Sequence, residues 1–182
     1  METVSFTAMA DGTKEEYEFL RNQERQVNVP DHVLALFETV RGSSGGYQIS
    51  RYEHALQTAT RAHRAGESEE YVVAALLHDL GECIAPERHG EIAAAVLATH
   101  VSDEIVWIVK HHGLFQMYYY AHHFGDDRNV RDHYRDHPYY DACVRFCELY
   151  DQCSFDPDYD TEPVEFFLPM VRRVLGGAEP ST

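Results

Sequence analysis

Positive charge is scarce in this sequence. Lys and Arg number 15 against 31 Asp and Glu, which gives a formal net charge of −16, and no basic cluster interrupts it. A surface this acidic repels phosphate backbones and anionic lipid, so neither nucleic acid nor membrane is an expected partner. It still leaves room for a local basic pocket that holds a small anion. No apolar run approaches the roughly 18 residues needed to cross a bilayer. No signal peptide is recognisable, and none of Cys83, Cys143, Cys147 and Cys153 forms a Cys-x-x-Cys pair. The expectation is a cytoplasmic protein with reduced thiols. Cys143 and Cys147 share a helix face and read as small core residues. Internal repeats, low-complexity blocks and long linkers are absent. Few segments show the period-two alternation of a strand, so the fold class is all-α.

What is present is enough chain, 182 residues, for one domain with a sizeable core. Start and stop signals divide it into helices. Met1 to about Gly12 reads as irregular. Thr13 caps a first helix that ends near Gln26, and Pro30-Asp31-His32 opens a second through Val40. Glycines 42, 45 and 46 break the chain. A third helix spans about Ser50 to Ala65, with Gly66 at its C-terminus. Ser68-Glu69-Glu70 starts a fourth, whose Tyr71–Leu77 run is too apolar all round for a surface helix and belongs in the core. Further helices are expected at about His89–Thr99, from Ser102 to at least His111, at Arg128–Arg135, at Tyr139–Gln152 and at Pro163–Leu175. An aromatic, histidine-rich stretch covers Phe115–Phe124, and Phe155–Asp160 is a loop.

Histidine is abundant, 12 in all, and its placement points to metal. His78-Asp79 directly follows the buried fourth helix. A buried Asp is costly unless a cation or hydrogen-bond donors compensate it. Adjacent residues on a helix point about 100° apart, so both serve one centre only if they flank it. Such a pair suits two neighbouring metals, with the Asp between them. His54, His89, the pair His111-His112 and Asp151 all fall at helix ends or one turn inside, where a bundle brings ligands together. Asp156, Asp158 and Asp160 alternate like part of a calcium loop, but the loop glycine and terminal glutamate are missing, so they read as solvated carboxylates. Cys153 has no second cysteine at suitable spacing and is assigned to packing.

The stretches Tyr52-Glu53-His54-Ala55-Leu56-Gln57-Thr58-Ala59, Ala75-Leu76-Leu77-His78-Asp79-Leu80-Gly81 and His112-Gly113-Leu114-Phe115 resemble the HD-domain superfamily. Within it the chain is most similar to the oxygenase branch that includes myo-inositol oxygenase and the phosphonate-cleaving enzymes. The resemblance extends over about residues 47 to 175, through Phe146–Asp151 and the Phe155 loop. It implies a compact helical bundle with a mixed-valent dinuclear iron centre. His54, His78, Asp79 and Asp151 would hold one metal and His89 and His112 the other, with Asp79 bridging and His78-Asp79 at the catalytic heart. His111 competes with His112, and the glycine after His112 favours the latter. The implied chemistry uses O2 to oxidise and cleave a small hydroxylated substrate, polyol-like or hydroxyphosphonate-like. The alternative is a phosphohydrolase that uses Zn, Mn or Co on a phosphate ester or nucleotide. A non-catalytic metal-binding role is a third possibility, against which the intact set of six ligands argues.

Tyr47, Glu82, Gln116, His122 and Glu148 are the expected substrate-binding residues. Glu82 stands where myo-inositol oxygenase has a lysine. Gln116 and Glu148 stand where the phosphonate enzymes have a lysine and an arginine. That set favours a polyol or a substrate with a cationic group over a phosphonate. The expected organisation is a helical extension over 1–46, a metal-binding domain over 47–177 and a flexible tail over 178–182.

Overall fold

Side-chain caps set where the helices begin. In the computed structural model, which describes residues 2–42 and 44–176, Thr13 and Glu16 close a reciprocal capping box at the start of α1 (Lys14–Glu24). Asn28 caps α2 (Val29–Phe37), which starts one residue before Pro30. Ser50 and Glu53 form a second capping box at α3 (Arg51–Arg64). Ser68 caps α4 (Glu69–Leu77) through the Tyr71 amide. Each such cap stabilises its helix by about 0.5–2 kcal/mol. Gly66, at φ +81°, ends the region of α3 in a left-handed conformation that other residues rarely adopt.

The chain continues through α5 (His89–Leu97), α6 (Asp103–Tyr120), α7 (Tyr140–Phe146) and α8 (Val164–Leu175). No strand occurs among the described residues, so the all-α reading holds. α4 is the centre. Every residue from Tyr71 to Leu77 is buried, and α3, α6 and α8 pack around it. That arrangement explains a helix with no polar face. α5 pairs with α6 and α7 packs on α6. α5 approaches α6 closely because Gly90 lacks a side chain: a Cβ there would stand 2.7 Å from the Val109 carbonyl oxygen.

α6, expected to reach at least His111, carries on through the aromatic stretch to Tyr120 before a 3-10 turn, Ala121–Phe124. Two expectations are revised. The helix expected over Arg128–Arg135 is only a 3-10 turn, Val130–Tyr134. Asp127 accepts from the Asn129 amide at 2.8 Å, a local turn that competes with helix. The helix over Tyr139–Gln152 is α only to Phe146 and then widens into a π-helical segment, Cys147–Asp151. There the Gln152 amide donates to the Cys147 carbonyl five residues back. The start of the chain is also less irregular than expected. Met9–Asp11 forms a 3-10 turn, and the Ser5 amide and hydroxyl both donate to Glu16.

α2 packs on α8, and the 3-10 turn after it, Glu38–Val40, packs on α3. Cys143 and Cys147 are buried free thiols. The expected tail, 178–182, lies outside the described residues.

Candidate metal centre

Four imidazoles reach one point from four elements. His54 sits one turn inside α3, His78 caps the C-terminus of α4, His89 opens α5 and His112 lies within α6. Each ring is fixed by its Nδ1–H, which donates to a backbone carbonyl. The acceptors are Ser154 at 2.8 Å for His54, Ala75 at 2.8 Å for His78, Pro86 at 2.6 Å for His89 and Val109 at 2.6 Å for His112. A carbonyl oxygen only accepts, so these bonds place the proton on Nδ1 and leave each Nε2 as a bare lone pair.

The Nε2 atoms then face one another. Those of His54 and His78 are 3.2 Å apart, and those of His89 and His112 are 3.0 Å apart. Two lone pairs at such distances repel unless a cation or a proton stands between them. Asp79 lies in the middle. Its Oδ1 is 3.6 Å from His78 Nε2, 3.4 Å from His89 Nε2 and 3.2 Å from His112 Nε2, while its Oδ2 is 3.6 Å from His54 Nε2. Asp151 completes the first pair, with Oδ1 3.3 Å from His54 Nε2 and 3.6 Å from His78 Nε2.

Electrostatics bind this cluster together. Burial alone disfavours charge on His54, but Asp151, with Asp79, outweighs it and raises its pKa, so that without a cation a proton takes the place at Nε2 and bonds to Asp151. His78 is raised for the same reasons, with Asp79 the larger opposing influence. Burial pushes the Asp79 carboxyl up, but His78, His112 and His54 hold it well below the usual carboxylate range. Asp151 is lowered against its burial by the hydrogen bonds and charges of His54 and His78.

The donor set fits metal. His54, His78 and Asp151 form one tight donor group; His78, Asp79 and His112 form a second; Asp79, Glu82 and His89 form a third. The groups overlap at Asp79 and His78, which suits two adjacent cations. Asp151 Oδ2 is buried with no hydrogen-bond partner, a costly state that a cation would relieve. Imidazole and carboxylate together suit iron, zinc or manganese. Gly113 makes room for the second position, since a Cβ there would press on the His89 ring at 3.2–3.3 Å.

A cavity of about 580 Å³ opens over the cluster. Of the residues expected from sequence to bind substrate, Tyr47, Glu82 and Gln116 line it. Glu82 is engaged there: Oε1 is 3.0 Å from Arg51 and Oε2 is 3.2 Å from His89 Nδ1. His122 and Glu148 do not line it. His122 is exposed in the 3-10 turn after α6, its ring 4.1 Å from that of His123. Glu148 is exposed on the outer side of the π segment, which turns Asp151 inward. His111 stacks on Trp107 and donates from Nδ1 to the Trp107 carbonyl, leaving the centre to His112.

Sequence reasoning passed over Arg51, which contacts both Asp79 and Glu82. Its place three residues before His54 on one helix was a usable signal. Phe155 stacks on His54 with ring centroids 4.3 Å apart, and Tyr47 stacks on Phe155 at 4.6 Å. The Phe155 loop is tied to α3, where Gln57 donates to the Asp156 carbonyl and Arg61 to the Cys153 carbonyl. Tyr119, Tyr120 and Phe124 add further aromatic surface. No described residue before Tyr47 lines the cavity.

A search of curated proteins returns no match. A family model described as HD domain matches residues 51–154, which takes in His54, His78, Asp79, His89, His112 and Asp151. With the buried His-Asp pair at the middle of a helical donor cluster, the chain belongs to the HD domain family, whose members are generally metal-dependent enzymes.

Proposed function

We propose that the chain is a dinuclear iron oxygenase that uses O2 to oxidise and cleave a small hydroxylated substrate. The observation that carries this reading is the second imidazole pair. His89 and His112 present Nε2 atoms 3.0 Å apart to the same Asp79 oxygen that faces His78. The pair supports two metals over one; two-metal HD hydrolases share that feature, and the oxygen chemistry is taken from the resemblance of the sequence to the oxygenase branch. In this reading His54, His78, Asp79 and Asp151 would hold one iron and His89 and His112 the other, with Asp79 serving both.

Bound there, an iron pair supplies the redox chemistry that activates O2. The residues supply the rest. The four Nδ1–carbonyl bonds keep the imidazoles from turning and preserve their lone pairs for metal. Phe155, stacked on His54, keeps water from that ring. Gln116 and Tyr120 offer polar groups along the cavity to a substrate hydroxyl. Residues 47–177 make up the metal-binding domain, and 1–46 form an extension whose α2 rests on α8.

Metal content, read together with electron paramagnetic resonance of partly reduced protein, tests this. The expected result is about two irons per chain with a spin-coupled mixed-valent signal, and O2 uptake with substrate. Zinc, manganese or cobalt at one per chain, with phosphate-ester turnover and no O2 uptake, would replace it with the phosphohydrolase reading.

A further inference from the structure

The cavity holds one unusual charge. Asp79, Asp151 and Glu82 line it, and among the described residues Arg51 is the only Arg or Lys that does. Arg51 projects from the first turn of α3, and its side chain is 17% exposed. Its guanidinium stands 3.0 Å from Glu82 Oε1, 3.7 Å from Asp79 Oδ2 and 4.8 Å from the Tyr47 ring centroid. These are charge contacts. Nη2 is committed to the Glu82 ion pair, while Nη1 stands 3.7 Å from Asp79, beyond hydrogen-bond distance, so part of the planar fork of N–H donors remains available to a ligand.

Arg51 is held by the Glu82 ion pair and the Tyr47 ring, which restrict its movement, and it lines the cavity beside Asp79. Cations at the metal centre would neutralise Asp79 and Asp151 and leave Arg51 in a cavity with positive charge to spare. That environment favours an anion.

We propose that Arg51 is the specificity-determining residue of this cavity and takes an oxyanion, carboxylate or phosphate, carried by the substrate. The guanidinium fork would grip two oxygens at once and orient the rest of the molecule toward the Nε2 atoms. This rests on reading the cluster as a metal centre, and it holds for either redox or hydrolytic chemistry. It also reverses the preference for a cationic substrate that Glu82, Gln116 and Glu148 suggest, because Arg51 restores the cation that position 82 lacks.

The test is calorimetric titration of the full-length, metal-loaded protein with acetate and with methyl phosphate, and with neutral myo-inositol as control. Metal content is measured on the same samples. Arg51→Gln is expected to weaken oxyanion binding about 10–100-fold, the worth of a lost charge-assisted pair, with metal content and myo-inositol binding unchanged. Arg51→Lys should recover part of the loss, since it keeps the charge without the fork. The tighter of the two probes in the wild type identifies the oxyanion. The proposal is overturned if the loaded wild type binds neither probe, if Arg51→Gln binds both as well as wild type, or if Arg51→Gln loses its metal. A wild-type protein that takes up no metal overturns the metal-centre reading and this proposal together. A loaded protein indifferent to Arg51 overturns this proposal alone.

Discussion

Replacing Asp79 by Asn keeps the shape of the side chain and removes its charge, at the one residue that faces all four imidazoles. Asp79 lies within 3.2–3.6 Å of the Nε2 atoms of His54, His78, His89 and His112, so both proposed metal positions would lose an anionic donor. The effect can be scaled through linkage. At free metal about 100-fold above the dissociation constant, binding stabilises the fold by about 2.7 kcal/mol per position. In a domain of this size each kcal/mol moves Tm by about 2–4 °C, so one filled position raises Tm by about 5–11 °C. If the lost carboxylate weakens binding about 100-fold, the same metal concentration yields only about 0.4 kcal/mol, or about 1–2 °C. The assay is thermal unfolding of chelator-treated protein with and without anaerobic Fe(II) or Mn(II), alongside metal analysis of the same samples. Far-UV circular dichroism checks that the variant is folded. His122→Ala, a substitution outside the cavity, is expected to keep the full wild-type shift. An Asp79→Asn protein with the wild-type shift and metal content would refute the reasoning.

Further substitutions probe the frame around the centre. Gly113→Ala puts a methyl 3.2–3.3 Å from the His89 ring; it should reduce metal content from two per chain toward one, and unchanged stoichiometry would show that the ring tolerates the contact. Ser50→Ala removes the hydroxyl that accepts from Glu53 at the start of the helix bearing Arg51 and His54; chemical denaturation should register a loss of about 1 kcal/mol, and no loss would count against the cap. Glu16 is pulled down from 4.5 to about 2 by hydrogen bonds from the Thr13 and Ser5 amides and the Ser5 hydroxyl. Because the folded value is the lower one, its contribution is present above about pH 4.5 and fades as pH falls toward 2. Glu16→Gln should therefore flatten the acid limb of a stability–pH curve in that window, and an unaltered limb would show that Glu16 does not drive it.

The sequence by itself determined the helices and the donors. Capping residues at Thr13, Ser50 and Ser68 act through atoms a few positions away, so the starts of α1, α3 and α4 are local events written in the chain. The apolar run Tyr71–Leu77 could only be central, and a histidine and an aspartate directly after it could only be tolerated with compensation. His54, His89, His112 and Asp151 were readable as partners from their places at or near helix ends, and from resemblance. What only the tertiary structure decided depends on distances between elements far apart in sequence. It chose His112 over His111 by the face of α6 that meets α4, and by giving His111 to Trp107. It widened the turn at Cys147–Asp151 so that Asp151 faces the imidazoles and Glu148 faces solvent. It also set Arg51 beside Glu82, 31 positions apart, close enough for each charge to answer the other. No periodicity or spacing encodes that pairing, because it arises only when α3 lies against the turn that follows α4.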